Sequence, residues 1–168
     1  MPDTKEILRT KFEYVRWADL RIVEAAAALS EEGFYRDQHI SHGSVHKLLV
    51  HCMGSQCLWR GRWVGLDLPF FKSEDYPTLQ HIQDRWPGIH DDLFAFIDAQ
   101  SEESLSSTLH YKRFGQPYTG VLWHLLTHVA DHATYHRGQL NSMIKLAGGK
   151  PCDPSFITYS RERTGQPV

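Results

Sequence analysis

Apolar side chains recur three and four positions apart along four long stretches of the chain, and polar side chains fill the positions between them. This spacing collects the apolar residues on one face of an α-helix, where they can be buried against other helices. The pattern therefore predicts four helices, over residues 4–29, 44–66, 78–100 and 119–147. Long helices joined by connections of unequal length predict an all-α fold, a four-helix bundle with at least one crossover connection.

The segments between these helices carry residues that interrupt regular structure. Residues 30–41 are polar and show no period, and Pro69 stops the second helix because proline has no backbone N–H to donate. Pro87 inside the third helix predicts a kink there. Residues 101–119 contain glycine and proline and allow either a short hairpin or an irregular crossover. The tail is expected to pack back onto the bundle through three side chains: Phe156, Ile157 and Tyr159.

Composition and charge narrow the class of protein further. A chain of 168 residues with 41% hydrophobic residues predicts one domain, over residues 1–168, with enough apolar material for a core. The formal net charge of -2 offers no basic surface to a phosphate backbone, so no nucleic-acid partner is expected. No apolar run is long enough for a membrane span, and the charged N-terminus is unlike a signal peptide. Three cysteines without a C-x-x-C pair are typical of reduced thiols, which predicts a cytoplasmic protein.

Histidine is unusually frequent, with 11 residues, and four of them follow one another at intervals of four in the last predicted helix. These are His124, His128, His132 and His136. Side chains four positions apart lie on nearly the same helix face, about 6 Å apart along the axis, so two imidazoles can bind one metal ion. The first and last of the four are about 18 Å apart by the same rise, so all four cannot serve one ion.

The apolar face of this helix selects among the possible pairs. At a step of about 100° per residue, His136 lies about 30° and His132 about 70° from the centre of the apolar stripe. His128 lies at the edge of the stripe, and His124 lies on the surface. Buried imidazole nitrogens need partners, and a shared metal ion satisfies two of them at once. The pair alone is as compatible with hydrogen-bonded core histidines as with a metal site.

A metal site needs a third ligand from another part of the chain. The second helix offers His46 and His51, and periodicity does not decide between them. His42 from a loop and His90 from the third helix are weaker candidates. HATYH lacks the glutamate of the H-E-x-x-H zinc proteases, and no Glu-x-x-His pair, P-loop or dinucleotide fingerprint is present. What remains is a mononuclear three-histidine site with at least one position open to water or substrate.

Several runs of residues carry a resemblance to a known family. HATYHRGQL at residues 132–140, preceded by WHLLTHVAD and followed by the tail DPSFITY, resembles the last helix of the DinB/YfiT-like family. VRWADLRIVEAA is similar to the family's first helix, and GSVHKLLVHCMGSQCLWRGRW is similar to its second. The resemblance implies a DinB/YfiT-like bundle, often a homodimer, that binds nickel, zinc, iron or manganese. It also implies one ligand from the second helix and two from the fourth: His51, His132 and His136.

The same resemblance carries expectations about activity. Relatives characterised as enzymes are metal-dependent transferases or isomerases that use a low-molecular-weight thiol such as bacillithiol or mycothiol. The leading hypothesis is therefore a metal-dependent transferase, or a hydrolase, acting on a small-molecule substrate. The alternative is a non-enzymatic metal-binding or stress-response protein whose ion ties two helices together. A DNA-damage factor rests on the family's historical name only, and the near-neutral charge weighs against it.

Some residues near the histidines have more than one predicted role. Arg137 either orients a substrate carboxylate or forms a salt bridge, and Gln139 has the same ambiguity. Gly138 is predicted to allow close packing between helices, and Cys52 is predicted to lie in the core. Three tryptophans are expected in core or dimer contacts: Trp17, Trp59 and Trp63.

Overall fold

The computed structural model describes residues 3–167, and within them the chain forms seven α-helices, one short 3-10 turn and one two-stranded sheet. The helices and strands, in chain order, are α1 (Thr4–Ala27), α2 (Glu31–Tyr35), α3 (Val45–Trp63), α4 (Leu79–Asp98), α5 (Glu102–Ser106), β1 (Thr108–Arg113), β2 (Gln116–Val121), α6 (Leu122–Leu146) and α7 (Phe156–Arg163). The 3-10 turn spans Ser73–Asp75, in the connection between α3 and α4.

The four long helices form a bundle whose core lies between them. α1 packs against α4 and α6, and α3 packs against the same two helices. α1 and α3 therefore occupy opposite corners, as do α4 and α6. Both the connection from α1 to α3 and the connection from α4 to α6 must cross from one corner to the opposite one. The predicted four-helix bundle is confirmed, and it has two crossovers where the sequence predicted at least one.

Capping residues explain where three of the four bundle helices begin, and a glycine turn explains where one of them ends. The side chains of Asp3, Ser44 and Thr78 accept hydrogen bonds from backbone N–H groups in the first turns of α1, α3 and α4. α3 ends at Trp63, three residues before the predicted end. The backbone beyond it tightens into a turn that needs Gly65 at a φ of 80°.

The segment between α4 and α6 contains a hairpin, as one of the two sequence alternatives predicted. β1 and β2 pair antiparallel from Thr108↔Val121 to Arg113↔Gln116. The two turn residues, Phe114 and Gly115, both have positive φ angles of 54° and 73°, which matches the twist of the flanking strands. The predicted start of the fourth helix at residue 119 was wrong, because residues 119–121 give their backbone groups to the sheet.

Shorter elements account for the remaining differences from the predicted pattern. Residues 31–35 form α2 inside a stretch that shows no period, and α4 continues through Pro87 as one helix. The tail forms α7, which packs back through Tyr159 and through Phe156, whose ring lies edge-on to Tyr14 of α1 with centroids 5.2 Å apart. Ile157 is 56% exposed. The prediction is therefore confirmed for Tyr159 and Phe156 and was wrong for Ile157.

Two further predictions concern single residues and the membrane. Cys52 is buried in the core, as predicted. Gly138 is exposed, and a Cβ placed there would meet no neighbour within 4 Å, so its predicted packing role was wrong. Among residues 3–167, no helix combines the length and the apolar character that crossing a membrane requires.

A buried polar hub joins all four bundle helices. Asp19 of α1 accepts hydrogen bonds from Arg137 of α6 at 2.9 Å, from Gln56 of α3 at 2.7 Å and from His90 of α4 at 3.1 Å. The indole N–H of Trp86 donates to the Gln56 side-chain oxygen at 2.9 Å. These five side chains are at most 3% exposed. We call this group the Asp19 hub.

The charge of the hub is balanced within it. Burial alone raises the pKa of Asp19, but the His90 hydrogen bond and the Arg137 charge outweigh that effect, so the pKa lies below its ordinary value. The Asp19 carboxylate and the Arg137 guanidinium are therefore both ionised at neutral pH, 2.9 Å apart. Removing one partner leaves the other as an uncompensated buried charge.

Replacing Asp19 by alanine is expected to lower the free energy of unfolding by about 3–5 kcal/mol, because Arg137 loses its counter-ion. Urea denaturation followed by circular dichroism measures this change. Asp98→Ala is the matched control, since the Arg9–Asp98 pair is largely exposed and contributes less than about 1 kcal/mol. An Asp19→Ala protein no less stable than the control would contradict the role of the hub.

Candidate metal centre

Two bundle helices bring the predicted ligands together. His51 lies in the second turn of α3, and His132 and His136 lie one turn apart on α6. The Nε2 atom of His136 is 3.2 Å from Nε2 of His51 and 3.1 Å from Nε2 of His132. The sequence thus identified three side chains that meet in space, and their role as ligands stays a prediction.

A fourth histidine joins this group from the loop between α2 and α3. The ring of His42 stacks on the ring of His51, with centroids 4.0 Å apart and planes at 24°. One ring nitrogen from each of His42, His51 and His136 lies within 4.8 Å of the other two. We call His42, His51, His132 and His136 the histidine cluster.

The other histidines considered from the sequence lie elsewhere. His46 is buried with its Nε2 2.7 Å from the carbonyl oxygen of Tyr76, and His90 belongs to the Asp19 hub. His124 and His128 are exposed on α6. The apolar stripe of α6 predicted His124 on the surface and His128 at the edge of the stripe, and their exposure agrees with this orientation of the helix. The two alternatives left open on α3 are therefore separated, because His51 reaches the cluster and His46 does not.

Gln139 fixes the protonation of one cluster histidine. Its side-chain amide donates to the Tyr135 hydroxyl at 3.1 Å, which leaves its Oε1 as an acceptor. That oxygen lies 2.7 Å from Nδ1 of His136, so the imidazole proton must be on Nδ1. The Nε2 atom of His136 then carries a lone pair, aimed at the other two imidazoles. Gln139 is thus a hydrogen-bond partner of the cluster, located three residues after His136 on the same helix face.

Burial keeps the cluster neutral. It lowers the pKa of His51 to about 3, and the neighbouring imidazoles add to that effect. It lowers the pKa of His132 to about 4 and also lowers the pKa values of His42 and His136. At neutral pH the rings therefore have lone pairs available, which is the protonation state that metal binding requires.

The donor set fits a divalent transition metal ion. Two nitrogens bound about 2.0–2.1 Å from one ion at tetrahedral angles lie about 3.3–3.4 Å apart, close to the separations around His136 Nε2. Neutral imidazole is a good ligand for zinc, nickel and iron, whereas magnesium and calcium prefer oxygen. An ion between the rings also gives a partner to nitrogens whose lone pairs otherwise face each other.

A pocket of about 220 Å³ opens beside the cluster. Its wall is formed by the loop before α3, by α3 itself and by the connection that follows it. These residues line it: His42, Lys47, Val50, His51, Gly54, Ser55, Phe70, Phe71 and Ser73. Phe71 packs so closely on α3 that a Cβ at Gly54 would lie 2.9 Å from the Phe71 Cβ. This glycine therefore allows the connection to approach the helix and close one side of the pocket.

Arg137 does not face this pocket. Its guanidinium is 2% exposed, pairs with Asp19 and donates to the Thr134 hydroxyl at 2.8 Å. The salt-bridge alternative for Arg137 is confirmed, and the suggestion that it orients a substrate carboxylate was wrong. Sequence neighbours on a helix point about 100° apart, so His136 faces the cluster while Arg137 faces the hub.

The predicted core tryptophans and His128 lie around these elements. Trp63 is buried, at 4% exposure, and Trp17 and Trp59 are half-buried against the core. The Trp59 ring packs edge-on against His128, with centroids 5.1 Å apart. Since the His128 and His132 rings are 5.8 Å apart, this pair borders the cluster without entering it.

The fold and this site define a class of protein: a four-helix bundle with a histidine cluster between its second and last long helices. The model of the DinB family matches residues 1–164, and the chain belongs to the DinB family. The resemblance seen in the sequence is thereby confirmed.

Two relatives support the same assignment. Protein DinB of Bacillus subtilis is 24% identical over 160 residues, which cover 88% of this chain and 90% of that protein. The crystal structure of a DinB-like protein from Bacillus cereus superposes with a TM-score of 0.57 at 18% identity, covering 82% of this chain and 91% of the other. At this identity the structural likeness establishes the fold alone.

Metal-free protein is expected to lose stability as the pH falls below about 6.5, the ordinary histidine pKa. Protons then bind the unfolded chain before they bind the folded one, because the folded pKa values of His51 and His132 are lower. Urea denaturation in the presence of a chelator, at a series of pH values, measures the slope. His132→Asn should flatten it, and exposed His124→Asn should not. A wild-type unfolding free energy that does not change with pH below about 6.5 would contradict the lowered pKa values of His51 and His132.

Proposed function

We propose that this chain binds one divalent metal ion through His51, His132 and His136 and uses it in catalysis on a small molecule. The observation that carries the proposal is the convergence of two imidazole nitrogens on the His136 Nε2 lone pair, at 3.1 and 3.2 Å. Zinc, nickel, iron and manganese are the candidate ions, since imidazole accepts several first-row metals. Membership of the DinB family supports the same ligand set.

A divalent ion held by these histidines would supply Lewis acidity, which would lower the pKa of a bound thiol or water. The protein contributes the remaining parts of the site. Gln139 holds the His136 ring in the tautomer that leaves Nε2 free. Phe70 and Phe71 give the neighbouring pocket an apolar wall, and the exposed Lys47 puts a positive charge at its rim.

Thiol transfer to an electrophile is the reaction that we favour. In such a reaction the thiol sulfur bonds to an electrophilic carbon while that carbon loses its leaving group, and the thiol proton passes to solvent. The pocket of about 220 Å³ is smaller than the ~300–1,000 Å³ of typical drug-sized sites, so it suits a small electrophile or one end of a larger thiol. Hydrolysis uses water in place of the thiol and fits the same arrangement.

A structural metal site is the competing proposal. An ion that only ties α3 to α6 would contribute mainly to folding, and its removal would cost much stability. The pocket beside His51 favours the catalytic proposal, because a purely structural site has no need of adjoining space.

The homodimer expected from the family resemblance stays a prediction.

Wild-type protein purified without a histidine tag is expected to contain about one divalent ion per chain. His51→Ala, His132→Ala and His136→Ala should each reduce the bound metal to background. Inductively coupled plasma mass spectrometry measures the metal, and thermal denaturation of each variant measures stability. His124→Ala is the matched control, because this exposed histidine belongs to the same series on α6.

The outcomes separate the two proposals. Loss of metal with a small loss of stability supports a catalytic site, and low-molecular-weight thiols with electrophiles are then the first substrates to assay. Loss of metal with unfolding supports the structural site. A wild-type protein that contains no metal and takes none up contradicts both.

Gln139→Leu is expected to weaken metal binding by about 10–100-fold, because His136 loses the acceptor that fixes its tautomer. Competition with a chromophoric chelator measures the dissociation constant. Gln139→Glu keeps an oxygen at the same place and should retain nearly wild-type affinity. If Gln139→Leu binds metal as tightly as the wild type, the hydrogen bond to His136 has no role in the site.

A further inference from the structure

His42 is the one member of the histidine cluster that lies on a loop, so helix periodicity does not apply to it, and the family resemblance implies no role for it. It belongs to the loop of residues 36–44, which precedes α3, and its side chain is exposed. Its ring nevertheless covers His51, and its centroid lies 5.7 Å from that of His136. A ring nitrogen of His42 lies within 4.8 Å of ligand atoms on both. An exposed side chain on a loop thus contacts two of the three proposed ligands.

The backbone of this loop is held in an uncommon conformation. His39, Ser41 and Gly43 have φ angles of 57°, 50° and 90°, all in the left-handed region. Residues other than glycine rarely adopt this region, and such strain collects at functional sites. A side chain at Gly43 would also crowd Asp37, whose two carboxylate oxygens lie 3.3 Å from the position of a Cβ. These left-handed residues turn the loop so that the His42 side chain lies against His51 of α3.

Hydrogen bonds tie the same loop to α6. Arg36 donates to the carbonyl oxygen of Leu146 at 2.9 Å, and the Gln38 amide donates to that of Met143 at 3.0 Å. The Ser41 hydroxyl donates to Oε1 of Gln139 at 3.0 Å, the same oxygen that accepts from His136. One amide oxygen therefore positions both a proposed ligand and the residue adjacent to His42.

We propose that His42 is a fourth nitrogen donor to the metal ion, and that a substrate thiol displaces it. The inference rests on the metal site proposed above. Three buried or half-buried histidines on helices hold the ion permanently, whereas the exposed His42 occupies the open position only until substrate binds. Its ring lines the same pocket as His51, so a sulfur atom that enters the pocket lies beside both imidazoles. When the sulfur replaces the imidazole, the thiol proton passes to solvent.

Cobalt substitution tests this proposal without an assay of activity. Wild type and His42→Ala are each loaded with one equivalent of Co²⁺, and the visible d–d absorption reports the ligands of the ion. His42→Ala is expected to change the spectrum, because water replaces a nitrogen donor, and added imidazole should restore it. Titration with 2-mercaptoethanol should show about tenfold tighter thiol binding to His42→Ala, since no ligand has to be displaced. His42→Gln serves as a second variant.

The control comes from the same loop. His39 is exposed and lies outside the cluster, and His39→Asn suits its left-handed backbone. This variant should keep the wild-type spectrum and thiol affinity. If both His42 variants match the wild type in spectrum and thiol affinity while His136→Ala loses the ion, the role of His42 is overturned and the metal site stands. If wild type takes up no cobalt or zinc, both proposals are overturned.

Discussion

The carboxylate of Asp19 is the constraint on which the rest of the structure depends. It accepts hydrogen bonds from one side chain on each of the other three bundle helices: Gln56, His90 and Arg137. A buried carboxylate is stable only when its charge is paired and its oxygens are hydrogen-bonded, so the helices cannot rotate about their axes independently. Arg137 is adjacent to His136, and the rotation that directs the guanidinium to Asp19 also directs the imidazole to His51. The apolar core supplies most of the stability, and the hub selects one arrangement of it.

The histidine cluster combines three residues on helices with one residue on a loop. His51, His132 and His136 lie on helices whose relative rotation the hub sets, and Gln139 orients one of their rings. His42 lies on a loop fastened to the end of α6 by side-chain hydrogen bonds. A site built in this way has a buried part set by the helices and an exposed part that faces the pocket. That division suits chemistry in which a substrate must reach an ion that the protein retains.

The sequence predicted the bundle and the inward pair on α6 because the apolar stripe of that helix has one clear direction. It could not choose between His46 and His51, since α3 is buried on nearly every side and its periodicity therefore carries little information. Asp19 was overlooked, although it lies four residues after Val15 and three before Ile22, on the apolar face of α1. A carboxylate at such a position is a signal for a buried partner. Loop residues have no period, so only the three-dimensional path of the chain brings His42 to the cluster.

The order of the helices along the chain has a consequence for how the protein forms. The three hydrogen bonds to Asp19 join residues separated by 37, 71 and 118 positions, and the contact between His51 and His136 spans 85. Contacts this distant in sequence require large loops to close first, which slows folding. During synthesis, α1, α3 and α4 are made before Arg137 has been added, so Asp19 lacks its arginine partner until α6 is made. The ion pair and the proposed metal site are therefore completed together, by the same helix.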